Sequence, residues 1–163
     1  MIGPEKRPSP DGFIEEPDTH QLILVVDDQL DHLEIIEQVL TDKNEPYAEH
    51  CKIITLSTTA ESIDFLRRRG AYAAVQRPDL VLMNMHLADK QAHTILSEIK
   101  TDPALRQIPT IVLTASASDD DILNSYRQRC NCFVLKPQDL NQLDSTLKVI
   151  KSFWLNLVTL PLK

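Results

Sequence analysis

The sequence predicts an α/β fold: a doubly wound, five-stranded parallel sheet with helices on both faces. Three observations predict it. Short apolar runs recur along the chain and are nearly continuous in hydrophobicity, as strands covered on both faces are. Segments of helical periodicity separate them. Polar residues stand where the runs end, and in open sheets of this kind the site forms outside the carboxyl ends of the strands.

The elements follow in order. Residues 1–20 hold four prolines and two glycines before any apolar pattern, which predicts a flexible N-terminal tail. "QLILVV" (21–26) is the first strand, and Leu30, Leu33, Ile36 and Leu40 then fall at helical spacing. "CKIITL" (51–56) is the second strand. In the helix after it, Thr58 and Glu61 suit a capping box and Gly70 suits a left-handed terminus. "LVLMN" (80–84) is the third strand, followed by a helix over 91–100 with Ile95 and Ile99 on one face. "TIVLT" (110–114) is the fourth, followed by a helix over 118–129 whose acidic first turn suits the positive end of the helix dipole. "CFVLK" (132–136) is the fifth, and a last helix begins near Asp139. The folded domain is expected over 21–151, with an apolar C-terminal extension over 152–163.

Composition narrows the function classes. No run approaches the ~18 apolar residues of a membrane helix, so no membrane partner is expected. Pro4, Glu5, Lys6, Arg7 and Pro8 stand where a signal peptide needs an apolar stretch. A net charge of −7 argues against nucleic acid as a partner. Cys51, Cys130 and Cys132 do not form a disulfide framework and fit a reducing cytoplasm. Cys130 and Cys132, two apart, are expected on one face of the fifth strand as core thiols. His50 and Cys51 lack a second ligand pair, so zinc is not expected.

The strand ends carry the chemistry. Asp27 and Asp28 end the first strand, Asn84 the third, Thr114 the fourth, and Lys136 the fifth, before Pro137. Acids, a hydroxyl and a lysine on one rim suit Mg²⁺ and a phosphoryl group: the hard ion takes oxygen ligands, the hydroxyl donates to phosphoryl oxygen, and the ammonium neutralises it. Taken singly, each has an ordinary structural reading, as a cap, a strand terminus or a surface lysine. A flavin enzyme on such a sheet needs a phosphate loop after strand one, and the acidic "DDQLD" repels phosphate there.

With Asp27-Asp28, Thr114-Ala115, Phe133 and Lys136-Pro137 in place, the chain resembles the receiver domains of two-component response regulators over roughly residues 20–150. The resemblance implies the flavodoxin-like sheet order 2-1-3-4-5. It implies a metal site of Asp27, Asp28, the residue at 84 and the backbone carbonyl of His86, with Thr114 and Lys136 on the phosphoryl oxygens and Phe133 as the switch aromatic. It also implies a cis Lys136–Pro137 bond. "RRRGAYAAVQRPDL", "KTDPALRQIPTIVLTAS" and "SFWLNLVTLP" are similar to the single-domain regulators paired with bacterial, especially cyanobacterial, phytochromes. That implies a phytochrome-type histidine kinase as partner, and homodimers built with the apolar tail.

The departures matter as much. The acceptor position of the family is an aspartate, and here it is Asn84. An amide is uncharged and a poor nucleophile toward phosphorus. The expectation is therefore a pseudo-receiver: not an enzyme, not phosphorylated at the usual site, with Mg²⁺ binding weakened, and acting through protein contacts. The alternative is a conventional Mg²⁺-dependent acceptor whose aspartate was changed to Asn84. The loop "HLADKQAH" (86–93), which lacks the family's proline and glycine, favours natural loss. "RRR" (67–69) reads as a solvated helix end, with phosphate or an acidic partner as the other reading; His86 and His93 read as loop histidines. In the tail, Phe153, Trp154 and Leu157 are the expected dimer contacts, with Trp154 as anchor and folding back onto the domain as the alternative.

Overall fold

The computed structural model describes residues 20–42, 44 and 51–161. The expected flexible tail lies almost wholly outside them, as do His50 and the last two residues. Five parallel strands form one sheet: β1 (Gln21–Val26), β2 (Cys51–Leu56), β3 (Leu80–Met83), β4 (Thr110–Thr114) and β5 (Cys132–Leu135), in the order β2-β1-β3-β4-β5. Five helices alternate with them: α1 (Leu30–Leu40), α2 (Thr59–Leu66), α3 (Ala92–Thr101), α4 (Asp119–Arg127) and α5 (Leu140–Lys151). The expected fold class and strand order hold.

The two-residue period of the strands divides the core in two. Leu22, Leu24, Val26, Val81, Met83 and Val112 face α2 and α3, meeting Phe65, Leu66, Ile95, Leu96 and Ile99. Ile23, Val25, Leu80, Leu82, Ile111 and Leu113 face α1 and α5, meeting Ile36, Val39, Leu143, Leu147 and Ile150. Both faces of β1, β3 and β4 are buried, which is why those runs are continuously apolar. Lys100 is buried too; its ammonium donates to the carbonyls of Ile108 and Arg106 and to Asn131 Oδ1 at 2.9, 3.3 and 2.9 Å, pinning the turn before β4.

Several local expectations change. Leu30, first in α1, is 81 % exposed; the buried stripe runs through Ile36, Val39 and Leu40 instead. Thr58 caps α2 by accepting from the Glu61 N–H, but the two-way capping box is at Ser118 and Asp121 of α4. Helix α2 ends at Leu66 rather than Gly70. Arg68 is left-handed at φ 55°, with the N–H groups of Arg68 and Arg69 closing on Phe65 and Asp64; Gly70 is left-handed as expected, at φ 56°, but it opens the next turn rather than ending the helix. Arg129, at φ 67°, ends α4 the same way. That turn places Cys130 outside the strand, so the period of two does not apply to it. Cys130 packs with the α2–α3 face and Cys132 with the opposite one, and all three thiols are free.

Beyond α5 the chain makes a π-helical turn over Ser152–Leu157. Trp154, Leu155, Val158 and buried Leu160 pack on the α1–α5 side of their own domain, and the Trp154 ring meets Phe153 edge to face. Trp154 is thus partly covered by its own chain rather than presented as an anchor. Phe153 and Leu157 remain 48 % and 73 % exposed. Among the described residues, no helix is long and apolar enough to cross a membrane.

Candidate functional site

Parallel pairing sets the rim. Asp27 follows β1, Asn84 follows β3 and Lys136 follows β5, one residue beyond the paired strands, while Thr114 is the last residue of β4. Backbone bonds extend the ladder over that extra residue: Asn84 N–H donates to Val26 O at 2.8 Å, and Lys136 N–H to Thr114 O at 2.8 Å. Every side chain of the expected constellation therefore projects from a fixed backbone. The Lys136–Pro137 bond is trans, as are the peptide bonds among the described residues, and the lysine reaches the pocket from this geometry.

Asp27, Asn84, Thr114 and Lys136 are all buried, with at most 3 % exposure, and they satisfy one another. The Lys136 ammonium forms an ion pair with Asp27 Oδ2. Asp27 Oδ1 accepts from Asn84 Nδ2 at 3.2 Å and from the Gln29 N–H at 3.1 Å. Asn84 Oδ1 accepts from Thr114 Oγ1 at 2.9 Å and from the His86 N–H at 3.0 Å. An uncharged amide can donate and accept at once, so Asn84 bridges an acid and a hydroxyl.

Around this centre, half-buried Asp28 takes the Ala88 N–H at 2.7 Å, tying the loop after β3 to the end of β1. The His86 ring lies outward, with Nε2 at 2.7 Å from the Ser116 carbonyl. Asp89 holds the start of α2, accepting from the Thr59 N–H at 2.8 Å and its hydroxyl at 3.0 Å. The Thr59 N–H bond, ahead of its other causes, lowers the Asp89 pKa. Lys90, at φ 58°, makes the turn that this glycine-free loop requires. Phe133 is half-buried against the α2–α3 side of the core.

One contact was missed from sequence. His32 Nδ1 lies 3.0 Å from Lys136 Nζ, and because an ammonium only donates, this ring nitrogen accepts. The signal was available: α1 begins two residues after Asp28, so its first turn borders the pocket.

The donor types at this rim, two carboxylates and an amide oxygen, suit a hard divalent cation. In this arrangement Lys136 pairs with Asp27, and the other Asp27 oxygen and the Asn84 oxygen carry hydrogen bonds. A divalent ion held here would take oxygens of Asp27, Asp28 and Asn84 in exchange for these partners.

A parallel 2-1-3-4-5 sheet with acids, a hydroxyl and a lysine at its carboxyl edge defines a receiver. Residues 23–148 match the response regulator receiver domain family, and the chain belongs to it. Among its relatives, response regulator Rcp1 of Synechocystis sp. (strain ATCC 27184 / PCC 6803 / Kazusa) is 34% identical over 147 residues, 90% of this chain and 97% of Rcp1. The crystal structure of the phosphorylated cyanobacterial phytochrome response regulator RcpA is 36% identical and superposes with a TM-score of 0.82, covering 88% of this chain and 99% of RcpA. The Mn²⁺-bound form of Rcp1 gives 34% identity and a TM-score of 0.82, over 87% of this chain and 99% of that one. The chain is a receiver domain related to phytochrome response regulators.

Proposed function

We propose that the chain is a single-domain pseudo-receiver of a two-component system, acting by protein contact without phosphorylation at position 84. The observation that carries this reading is the closed set Lys136–Asp27–Asn84–Thr114, in which the groups that handle a metal and a phosphoryl oxygen in the family are spent on one another. An acyl phosphate forms only from a carboxylate, and Asn84 presents an amide oxygen that two donors already hold. Mg²⁺ binding is weak because it competes with the Lys136 ammonium and lacks the charge of a third acid.

RcpA and Rcp1, whole-length relatives of this chain, support a kinase of phytochrome type as partner. A second copy is the other partner. Val149, Phe153 and Leu157 are exposed at intervals of four along α5 and the turn beyond it, an apolar stripe that a twin stripe covers.

Incubation with acetyl phosphate and Mg²⁺, read by intact mass, tests the reading. The protein stays unlabelled, and Asn84→Asp gains at least partial labelling because Asp27, Asp28, Thr114 and Lys136 remain. Labelling of the unaltered protein overturns it.

A further inference from the structure

The opposite end of the sheet holds charged groups that receiver chemistry does not use. A cleft of about 250 Å³ opens there, where Asp79 and Pro109 lead into β3 and β4, with Arg68 from the end of α2, Arg77, Gln107 and Pro161 of the tail around it. In a chain of net charge −7, two guanidinium groups line this one cleft. Among the described residues neither forms an ion pair with a carboxylate. Arg67, the residue before Arg68, does so with Glu98, so these two neighbours differ: one is paired and the other lines the cleft.

Arg77 Nε is buried and has no acceptor. A buried donor on a charged group without a partner is costly, and native proteins keep few of them. Arg68 stands in the left-handed region at φ 55°, in the turn that closes α2 beside the cleft. Asp79 also lines the cleft; its Oδ2 accepts the Leu22 N–H at 2.8 Å, and the two guanidinium groups outnumber this one carboxylate. Pro109 and Pro161 supply flat apolar walls, so the cleft joins an anion-seeking head to an apolar slot.

We propose that this cleft binds a small anionic ligand, a carboxylate or phosphate monoester on a compact apolar body, with its head on Arg68 and Arg77 and its body against Pro109 and Pro161. The fork of a guanidinium matches either oxyanion. The site is independent of whether Asn84 accepts a phosphoryl group.

The experiment follows the arginine Nε–Hε signals of the full-length protein by NMR while phenyl phosphate, benzoate or inorganic phosphate is added. The Arg77 signal moves saturably with phenyl phosphate, benzoate or both, which says which head the cleft takes. Inorganic phosphate binds more weakly for lack of the apolar contact. Arg68→Ala weakens binding by about tenfold or more, the loss of a charge-assisted pair. Arg77 signals that stay still to millimolar levels of every probe overturn the proposal. So does binding of inorganic phosphate as tight as that of phenyl phosphate, or a response confined to Thr114 and Lys136 at the other end of the sheet.

Discussion

The hydroxyl of Thr114 donates to the amide oxygen of Asn84 at 2.9 Å, with both residues buried. In the receiver family this threonine moves to a phosphoryl oxygen when one arrives, and the aromatic residue on the next strand turns inward with it. Here the threonine already has an acceptor in the protein, and Phe133 already rests half-buried against the core. A ligand shifts a conformational equilibrium only by its differential affinity for the two states. On the proposed pseudo-receiver reading no acyl phosphate forms at Asn84, and that difference is missing. Adding Mg²⁺ and beryllofluoride therefore leaves the NMR signals of Thr114 and Phe133 in place. Large shifts at both would contradict a pre-set switch.

The Lys136–Asp27 ion pair makes a second, thermodynamic prediction. Both groups are buried, and removing one partner leaves the other as an uncompensated charge. Lys136→Met destabilises the fold by about 3–5 kcal/mol. It also exposes the Asp27 carboxylate to metal. The melting temperature of the variant then climbs with added Mg²⁺, by mass action on the folded state, while that of the unaltered protein stays nearly flat. Equal Mg²⁺ responses in the two proteins would remove the lysine from its role as the resident cation.

Much of this was legible in the sequence for a physical reason. Strands buried on both faces must be apolar throughout, so β1, β3 and β4 stand out as runs, and their carboxyl ends mark the rim that carries Asp27, Asn84 and Thr114. What could not be read is how side chains divide their bonds. Nothing in the order of residues says that Asn84 bridges Asp27 to Thr114; for His32 it says only that the first turn of α1 borders the pocket, not that the ring meets Lys136. Helix ends were legible only in part: Gly70 is left-handed at φ 56°, yet the turns that close α2 and α4 fall to Arg68 and Arg129, where the carbonyls of Asp64 and Ser125 are met.

That turn chemistry gives a third prediction. Arg129 is exposed and sits at φ 67° after α4. A non-glycine residue there costs roughly 1–2 kcal/mol, partly offset by the extra freedom glycine gives the unfolded chain, about 0.4–1 kcal/mol. Arg129→Gly raises stability by about 0.5–1 kcal/mol in denaturant titration. A loss of stability would mean that the guanidinium makes a contact worth more than the backbone strain.

Titration bounds the stable range from both sides. The Ser118 N–H holds the Asp121 carboxyl below its usual value, as the Thr59 N–H does for Asp89. A depressed carboxyl adds stability that is full above its unfolded value, about 4, and is lost as pH falls through the folded one. Burial pushes the Cys51 thiol up to about 11. Its contribution is full below the unfolded value of about 8.5–9 and is lost as pH rises toward 11. The contributions of these three groups are therefore level between about 5 and 8, and Cys51 reacts with thiol reagents at pH 8 more slowly than a free thiol. Rapid labelling of Cys51 at that pH would contradict its burial.

The tail gives the last prediction. Trp154, Leu155 and Leu160 are bound to their own domain, so removing the tail outright disturbs the core as well as any interface. Val149, Phe153 and Leu157 are different: 69 %, 48 % and 73 % exposed, they lie on the outer side of one continuous helical path. Full burial of such side chains is worth roughly 1.5–3 kcal/mol each, and a two-fold axis doubles the set. That gain is set against the roughly 4–15 kcal/mol that association costs, and only the surplus appears as affinity, so the dimer is reversible rather than permanent. Sedimentation of the full chain then shows a concentration-dependent dimer. Phe153→Glu with Leu157→Glu yields a monomer whose melting temperature is nearly unchanged at low concentration, because neither side chain is a core residue. A full-length monomer throughout the micromolar range sinks the dimer, and a doubly substituted protein that still dimerises moves the interface away from this stripe.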